Sequence, residues 1–409
     1  MPEIQGARLL ADLKRLAEFG KYKTGVHRPT YTPDDMAARQ WLAGRMAEAG
    51  LEPLIDGIGT VLGRSKTAGP RLLLGSHVET QPYSGWLDGA MGVLYGLEVA
   101  RAFAEDKVTA GLGIEVGAWA DEEGHYGSLL GSRSFCGELS EDAIDATRNR
   151  QTGKPLREAL ADAGLTGKPR ERLDPKRYVG YLEAHVEQGD TLDSGGLRLG
   201  IVTGIVGIHL YNLTFHGQQN HAGTTRMAVR RDAGVALVRF CNMVEERFPK
   251  VVGPRSVWTT GKIALDPGAP SVIPGKAEML FQFRDVEPER LALLERTLNE
   301  LVAEANARGP CRVELEVISR TPPHAMDRGF QDALEAAAER RAPKLHTRLP
   351  SAAGHDAQTF ARHIRAGMLF VPSVAGISHH YAEDTKEEDI VLGCQTFADA
   401  AATILKKAS

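Results

Sequence analysis

The sequence has few cysteines and no long uninterrupted run of apolar residues. Its four cysteines are scattered over 409 residues without a CxxC pair, so neither a disulfide framework nor a thiolate metal site is expected. No stretch approaches the roughly 18 consecutive apolar residues that a transmembrane helix requires. The N-terminal segment has an amphipathic pattern without the features of a signal peptide. We therefore expect a cytoplasmic protein with free thiols.

The sequence also lacks a strong excess of charge of either sign. A formal net charge of -4 predicts neither a nucleic acid nor an anionic membrane surface as a partner. The hydrophobic fraction of 42% and the charged fraction of 25% are ordinary for a globular protein. A length of 409 residues favours about two domains.

Strand and helix patterns alternate in two parts of the chain, residues 1–206 and 320–409. This alternation predicts an α/β domain with a mostly parallel sheet that is covered by helices. Three predicted strands each end at a polar cluster: 71–75, 113–120 and 178–184. Ligand sites in such sheets lie beyond the carboxyl ends of the strands, so we expect the functional site there.

The segment 207–319 has a different pattern. Its predicted order is strand, helix, strand, strand, helix, strand, which is the ferredoxin-like arrangement. We interpret it as an α+β domain inserted into the discontinuous α/β domain.

The first two candidate metal ligands lie close together in the sequence. His77 follows the strand 71–75, and Asp88 comes eleven residues later. A histidine and an aspartate on adjoining loops can reach one metal ion. The alternative is a buried histidine that is hydrogen-bonded to an aspartate for structural reasons.

Three adjacent acids, Asp121, Glu122 and Glu123, follow the next strand. Burying such a group without partners is costly, and a cation removes that cost. One glutamate can then bind the metal while its neighbour faces the reacting water as a general base. The alternative is a solvated acidic turn.

Further imidazoles complete the candidate site. His185 follows the strand 178–184, and His379 and His380 lie in a loop near the C-terminal end. A third imidazole from residue 379 or 380 suits a two-metal site better than another acid. The predicted ligands are His77, Asp88, Glu123, His185 and His379. We expect two divalent ions, with zinc as the first choice. Manganese, cobalt and nickel are alternatives, because mixed imidazole and carboxylate ligands suit all of these ions.

Eight motifs in the sequence resemble those of one enzyme family, in the family's order. They are GSHVETQP, WLDGAMGVL, ADEEGHYGSLLGSR, HVEQG, VTGIVG, NHAGTTRMAVRRDA, GHDAQ and VPSVAGISHHYAED. Over nearly its whole length the chain is similar to the N-carbamoyl-L-amino-acid hydrolase, allantoate amidohydrolase and β-ureidopropionase group. These enzymes are related to the di-zinc aminoacylases and carboxypeptidases.

The resemblance implies a di-metal hydrolase domain with an inserted lid and dimerisation domain. It also implies metal-dependent hydrolysis of a linear amide or ureido C–N bond in a small molecule that carries a carboxylate. An N-carbamoyl-L-amino acid or a related ureido acid is the expected substrate. The family further implies a homodimer formed through residues 207–319.

The same resemblance assigns roles to single residues. Asp88 resembles the ligand that bridges the two ions, and Glu122 resembles the general base. His221 resembles the histidine that stabilises the oxyanion. The positions that resemble substrate-binding residues are Gln188, Arg284, Gly354 and His355. The guanidinium fork of Arg284 would hold the substrate carboxylate.

Three positions depart from the family's pattern. Glu79 stands where an aspartate usually orients the imidazole of the first ligand. Ser271 stands where an asparagine usually helps to bind the carboxylate, which suggests a bulkier or differently placed substrate. His380 directly follows His379, so the residue types alone do not decide between them as the fifth ligand.

Two other functions are compatible with this sequence. One is an aminoacylase or dipeptidase that acts on N-acyl amino acids or peptides. The other is a catalytically inactive protein that binds metal or ligand. The HVEQG and GTTRM patterns favour the ureido hydrolases over the first alternative, and the intact Glu122 argues against the second.

Overall fold

The computed structural model describes residues 1–408, and its internal contacts divide the chain into two compact units. Unit 1 contains residues 1–203 and the described residues from 325 onward, and unit 2 is Gly204–His324. Unit 2 extends a few residues beyond the predicted segment 207–319 at each end. No helix within residues 1–408 is long and apolar enough to cross a membrane.

The strands and helices are numbered in chain order. The strands are β1 Lys21–Tyr22, β2 Gly25–Val26, β3 Glu52–Ile55, β4 Val61–Arg64, β5 Arg71–His77, β6 Gly113–Trp119, β7 Tyr178–Val186, β8 Leu199–Ile205, β9 Gly207–His216, β10 Asn220–His221, β11 Val257–Asp266, β12 Val272–Ile273, β13 Lys276–Asp285, β14 Arg312–Thr321, β15 His324–Ala325, β16 His346–Ser351 and β17 Ala366–Val371. The α-helices are α1 Gly6–Ala17, α2 Pro33–Glu48, α3 Ala90–Glu105, α4 Leu130–Phe135, α5 Glu141–Ala146, α6 Leu156–Asp162, α7 Thr191–Ser194, α8 Ala233–Arg247, α9 Pro288–Arg308, α10 Arg328–Arg341, α11 Asp356–Phe360 and α12 Glu387–Ala408.

The large sheet is mixed, with a parallel centre. Its order is β15-β8-β17-β7-β5-β6-β4-β3, and β16 also pairs with β8. The central strands β17, β7, β5 and β6 are parallel to one another, whereas β8 runs antiparallel to β17, β4 runs antiparallel to β6, and β3 runs antiparallel to β4. The expectation of a mostly parallel sheet therefore holds only for the centre. The connection between β3 and β4 spans five residues, 56–60, which is too short for a parallel crossover.

Helix α3 shows how this sheet is covered. Its sequence is mostly apolar, and fourteen of its residues are buried, as expected for a helix enclosed in a large core. It packs on β5 and β6, while α12 packs beside α10. The apolar core of unit 1 therefore fixes the strands whose ends carry the polar clusters.

Unit 2 has its own sheet and its own core. The sheet order is β11-β13-β9-β14, and its strand pairs are antiparallel. Along the chain the elements follow as β9, α8, β11, β13, α9 and β14. Alternate residues of β13 are buried, which is the period that one covered face of a sheet requires.

Candidate metal centre

The parallel centre of the large sheet brings three polar clusters to one edge. His77 ends β5, which pairs in parallel with β6 on one side and β7 on the other. Glu122 and Glu123 follow the end of β6, and His185 lies next to the end of β7. Since parallel strands end at the same edge, residues distant in sequence meet there.

Asp88 lies at the middle of this cluster. Its Oδ1 atom is 3.0 Å from Nε2 of His185 and 3.5 Å from Nε2 of His77. Its Oδ2 atom is 3.3 Å from Nε2 of His379, and that same nitrogen is 3.9 Å from Oε2 of Glu123. The five side chains form two groups that could each hold an ion, and Asp88 belongs to both.

The chemistry of these donors fits a pair of divalent cations. Imidazole nitrogens and carboxylate oxygens converge in each group, and zinc and related ions use such mixed ligands. Burial acts to raise the pKa of Asp88, but hydrogen bonds from His185, His379 and His77 hold it well below its usual range. Asp88 is therefore a carboxylate at neutral pH, as a shared ligand must be.

Main-chain oxygens orient two of the imidazoles. Nδ1 of His77 lies 3.0 Å from the carbonyl oxygen of Glu79, and Nδ1 of His185 lies 2.8 Å from that of Val186. A carbonyl accepts a hydrogen bond, so Nδ1 carries a proton in both rings, and Nε2, which faces Asp88, is the nitrogen that a metal would bind. The carboxylate of Glu79 lies farther away, with Oε1 3.9 Å from Nδ1 of His77. The carbonyl of this residue, rather than its side chain, orients the ring.

Glu122 lies beside the two donor groups and belongs to neither. Its Oε2 atom is 3.7 Å from Nε2 of His77, and its side chain is mostly buried. Burial raises the pKa of Glu122 well above its usual value, although the nearby His77 opposes the shift. A raised pKa makes this carboxylate a stronger proton acceptor.

The structure distinguishes between the two adjacent histidines of the late loop. His379 has a positive φ of 53°, and its ring is directed at Asp88 although its side chain is 50% exposed. Nδ1 of His380 instead accepts a hydrogen bond from the main-chain nitrogen of Ala382, and its ring contacts that of Tyr381. The backbone turn at residue 379 thus sends the two rings in different directions.

Glu383 is a buried residue of this centre that the sequence patterns did not single out. It accepts hydrogen bonds from the main-chain nitrogen of Asp88 at 3.1 Å and from the hydroxyl of Ser378 at 2.8 Å. Burial, and the charge of Asp88, raise the pKa of Glu383 to about 7. A Cβ atom at Gly85 would lie 2.0 Å from Oε1 of Glu383, so any larger residue at position 85 would force the Glu383 carboxylate to move.

Gln81 is a second such residue. Its amide Nε2 donates to Oε2 of Glu123 at 2.9 Å and to the carbonyl oxygen of Glu123 at 3.0 Å. Both Gln81 and Glu383 lie inside motifs that the sequence displays. Their position in GSHVETQP and in VPSVAGISHHYAED was therefore the one available signal.

The predicted substrate-binding residues of unit 1 lie around the same cluster. Nε2 of Gln188 is 3.2 Å from Oδ2 of Asp88 and 3.3 Å from Nε2 of His379. The ring of His355, which follows Gly354, packs 4.6 Å from that of His185 between ring centroids. Burial lowers the pKa of His355 well below its usual value, which keeps this imidazole neutral.

The other three predicted residues belong to unit 2. Nδ1 of His221 accepts hydrogen bonds from the main-chain nitrogens of Gly223 and Thr224, at 3.0 and 3.1 Å. Nε2 of His221 therefore carries the proton and can donate it. The carbonyl oxygen of Ser271 accepts a hydrogen bond from Ala222, next to His221.

Arg284 lies near the end of β13, where burial lowers the pKa of its guanidinium. Its Nη2 atom is 3.3 Å from Oε1 of Gln282. A guanidinium is able in general to hold a carboxylate with two parallel hydrogen bonds.

Comparison with known proteins places these motifs in a family. Residues 73–403 match the model of peptidase family M20/M25/M40. The chain is 33% identical to an N-carbamoyl-L-amino acid amidohydrolase of Geobacillus stearothermophilus, covering 96% of this chain and 97% of that protein. It is also 33% identical to an allantoate amidohydrolase of Escherichia coli K12, covering 94% of both chains.

A solved structure shows the same similarity in three dimensions. An amidase of the hydantoinase/carbamoylase family from Burkholderia phymatum superimposes with a TM-score of 0.93 at 49% identity, covering 100% of both chains. The resemblance drawn from the eight motifs is thereby confirmed. This chain belongs to peptidase family M20/M25/M40, among the relatives that include the N-carbamoyl-L-amino acid amidohydrolases.

Proposed function

We propose that the chain is a metal-dependent hydrolase of a linear ureido or amide C–N bond in a small molecule that carries a carboxylate. The first candidate substrate is an N-carbamoyl-L-amino acid. The observation that carries this proposal is the sharing of Asp88 by two donor groups, with the carboxylate of Glu122 beside them. The names of the similar proteins support the substrate class.

The metal ligands in this proposal are divided between two ions, with zinc as the first choice and manganese, cobalt or nickel as alternatives. His77, Asp88 and His185 would hold one ion, and Asp88, Glu123 and His379 would hold the other. Divalent ions supply Lewis-acid polarisation of a carbonyl and lower the pKa of water.

Glu122 moves the proton. Its carboxylate accepts a proton from the attacking water and then donates that proton to the leaving nitrogen, which departs as an amine or ammonia. Oε2 of Glu122 lies 3.7 Å from Nε2 of His77. This position supports the role, because a general base must lie beside the metal ions and must not itself be a metal ligand.

Other residues bind and orient the substrate. The protonated Nε2 of His221 donates a hydrogen bond to the developing oxyanion, and the guanidinium of Arg284 holds the substrate carboxylate. Gln188, Gly354 and His355 line the substrate's position in unit 1. The hydroxyl of Ser271 is shorter than an asparagine side chain, which leaves room for a bulkier or shifted carboxylate.

Residues 207–319 would form a lid and dimerisation domain, and the chain would be a homodimer. Strand β11 lies at the edge of the unit 2 sheet and exposes three large apolar side chains: Val257, Ile263 and Leu265. Exposed edge strands pair readily with a second copy, and closed twofold dimers are the commonest homo-oligomers.

The test is a substrate panel on protein reconstituted with zinc or manganese. N-carbamoyl-L-amino acids, β-ureidopropionate, allantoate, N-acyl amino acids and dipeptides are compared, and the ureido acids are expected to give the highest kcat/KM. Glu122→Gln keeps the size of the side chain but removes the proton acceptor, so kcat should fall by more than about 100-fold.

The metal content of Glu122→Gln is the control and should equal that of the wild type. A preference for dipeptides would favour the peptidase alternative. Unchanged turnover in Glu122→Gln would contradict the assigned base. Turnover of no substrate, with both ions bound, would favour a binding protein.

A further inference from the structure

The carboxylate of Glu79 connects Arg39 on helix α2 with the main chain at Glu122, beside the metal centre. Oε1 accepts a hydrogen bond from the main-chain nitrogen of Glu122 at 2.6 Å. Oε2 accepts one from Nη2 of Arg39, also at 2.6 Å. Because the main-chain carbonyl of Glu79 already orients His77, the side chain is free for this second task.

Arg39 is itself fixed by several hydrogen bonds. Its Nε donates to Asp35 at 2.9 Å, one helical turn earlier on α2, and the side chains of Arg39, Asp35 and Glu79 are fully buried. Its Nη1 donates to the carbonyl oxygens of Gly59 and Ala118. Charged hydrogen bonds in a water-free environment are costly to break, since one charge would remain buried without a partner.

The length of the Glu79 side chain is what allows it to span this gap. An aspartate at this position would be shorter by one methylene, or roughly 1.5 Å. With the backbone in place it could reach Arg39 or the amide of Glu122, but not both. Glu79, Arg39 and Asp35 are therefore matched to one another in this chain.

We propose that Glu79, anchored by Arg39 and Asp35, is a positioning residue that fixes the peptide of Glu122 and so directs its carboxylate for proton transfer. The inference rests on the proposed function, in which Glu122 is the general base. It assigns to the long side chain at position 79 a role that a ligand-orienting aspartate would not have.

The first test is the variant Glu79→Asp, which keeps the charge and shortens the reach. The kcat should fall by about 10- to 100-fold, the range typical for residues that support a metal site. The KM and the number of bound ions should stay unchanged, because the metal ligands and substrate contacts are untouched. Loss of metal instead of kcat would show that residue 79 acts on His77, which would overturn the proposal.

The variant Glu79→Gln keeps the length of the side chain but removes one acceptor. Its one oxygen can accept from the amide of Glu122, but its NH2 group then faces the donor Nη2 of Arg39, so the anchor is lost and kcat should fall in this variant as well. A wild-type kcat in Glu79→Gln would show that the bond to Arg39 is not needed, which would overturn the anchoring role. The matched control is Arg101→Met, which breaks a buried ion pair with Asp12.

Arg101 lies roughly 16 Å along α3 from the start of that helix, at about 1.5 Å per residue. The control should lower the melting temperature and leave kcat unchanged. An equal loss of kcat in Arg101→Met and Glu79→Asp would mean that general destabilisation explains both.

A second readout does not depend on turnover. Amide hydrogen exchange, resolved to the peptide that contains Glu122, should be faster in Glu79→Asp by about tenfold or more and unchanged in Arg101→Met. Equal protection in Glu79→Asp and the wild type would overturn the positioning role even if no substrate were found. Turnover failure of the wild type, by contrast, would overturn the proposed function alone.

Discussion

At the scale of single residues, Asp88 organises the centre. Three imidazoles hydrogen-bond to one carboxylate, and these contacts hold the pKa of Asp88 well below its usual range although burial opposes the shift. The second donor group reaches Asp88 through His379, whose loop has a left-handed backbone at that residue. A non-glycine residue in this region is uncommon and is maintained only where the surroundings stabilise it.

The two adjacent histidines should therefore respond differently to substitution. His379→Ala removes a nitrogen from the group that contains Glu123, so one of two ions should bind at least about 10-fold more weakly and turnover should drop. His380→Ala is the matched control, because its ring contacts Tyr381 and the amide of Ala382 instead. Elemental analysis after dialysis measures the ions per chain.

A loss of metal in His380→Ala with retention in His379→Ala would contradict the assignment. Equal losses in the two variants would show that the loop as a whole, rather than one imidazole, supports the second ion.

Residue chemistry explains which members of the centre the sequence could predict. His77, Asp88, Glu123 and His185 are polar residues at the ends of apolar segments, where burial demands a partner. Glu383 acts through a main-chain amide nearly three hundred residues away. No local pattern encodes such a contact, so only the folded chain identifies it.

At the scale of elements, the parallel centre of the large sheet could be predicted, and its edges could not. Strands β5, β6 and β7 are short apolar segments separated by long connections, which parallel pairing requires. In strand β3 the first two residues, Glu52 and Pro53, are exposed and the last two, Leu54 and Ile55, are only half-buried. Strand β3 has too few apolar residues to be predicted from a hydrophobic pattern. The short turn between β3 and β4 nevertheless requires an antiparallel pair.

Strand β11 carries the test of the proposed dimer. Leu265→Lys places a charge on an exposed apolar position of this edge, so the homodimer should dissociate because a buried unpaired charge is costly. Light scattering coupled to size-exclusion chromatography measures the mass. Ile318→Lys is the control, since Ile318 is similarly exposed on β14 at the opposite edge of the sheet.

A dimer that persists in Leu265→Lys and is lost in Ile318→Lys would place the interface on β14. A wild-type protein that is monomeric at micromolar concentration would contradict the dimer itself.

At the scale of the whole molecule, the candidate site residues are distributed over the two units. Unit 1 carries the five candidate ligands and Glu122, and unit 2 carries His221, Ser271 and Arg284. The strand and helix order of 207–319 predicts an insertion because its periodicity differs from that of the flanking sequence. The identity of the substrate is harder to predict from the sequence, since a serine at position 271 changes the space available to the substrate and not the type of reaction.

The central claim is that two ions share Asp88 and that both are needed for hydrolysis. Metal-free protein, prepared with a chelator, should have a lower melting temperature, because the carboxylates of Asp88, Glu122 and Glu123 then repel one another without cations. It should not hydrolyse an N-carbamoyl-L-amino acid.

The most direct measurement is a titration of this metal-free protein with zinc, following bound metal per chain and the rate of hydrolysis together. The structure predicts saturation at two ions per chain, with the rate reaching its maximum only when the second ion is bound. Full activity in the metal-free protein, or saturation at a single ion, would contradict the account.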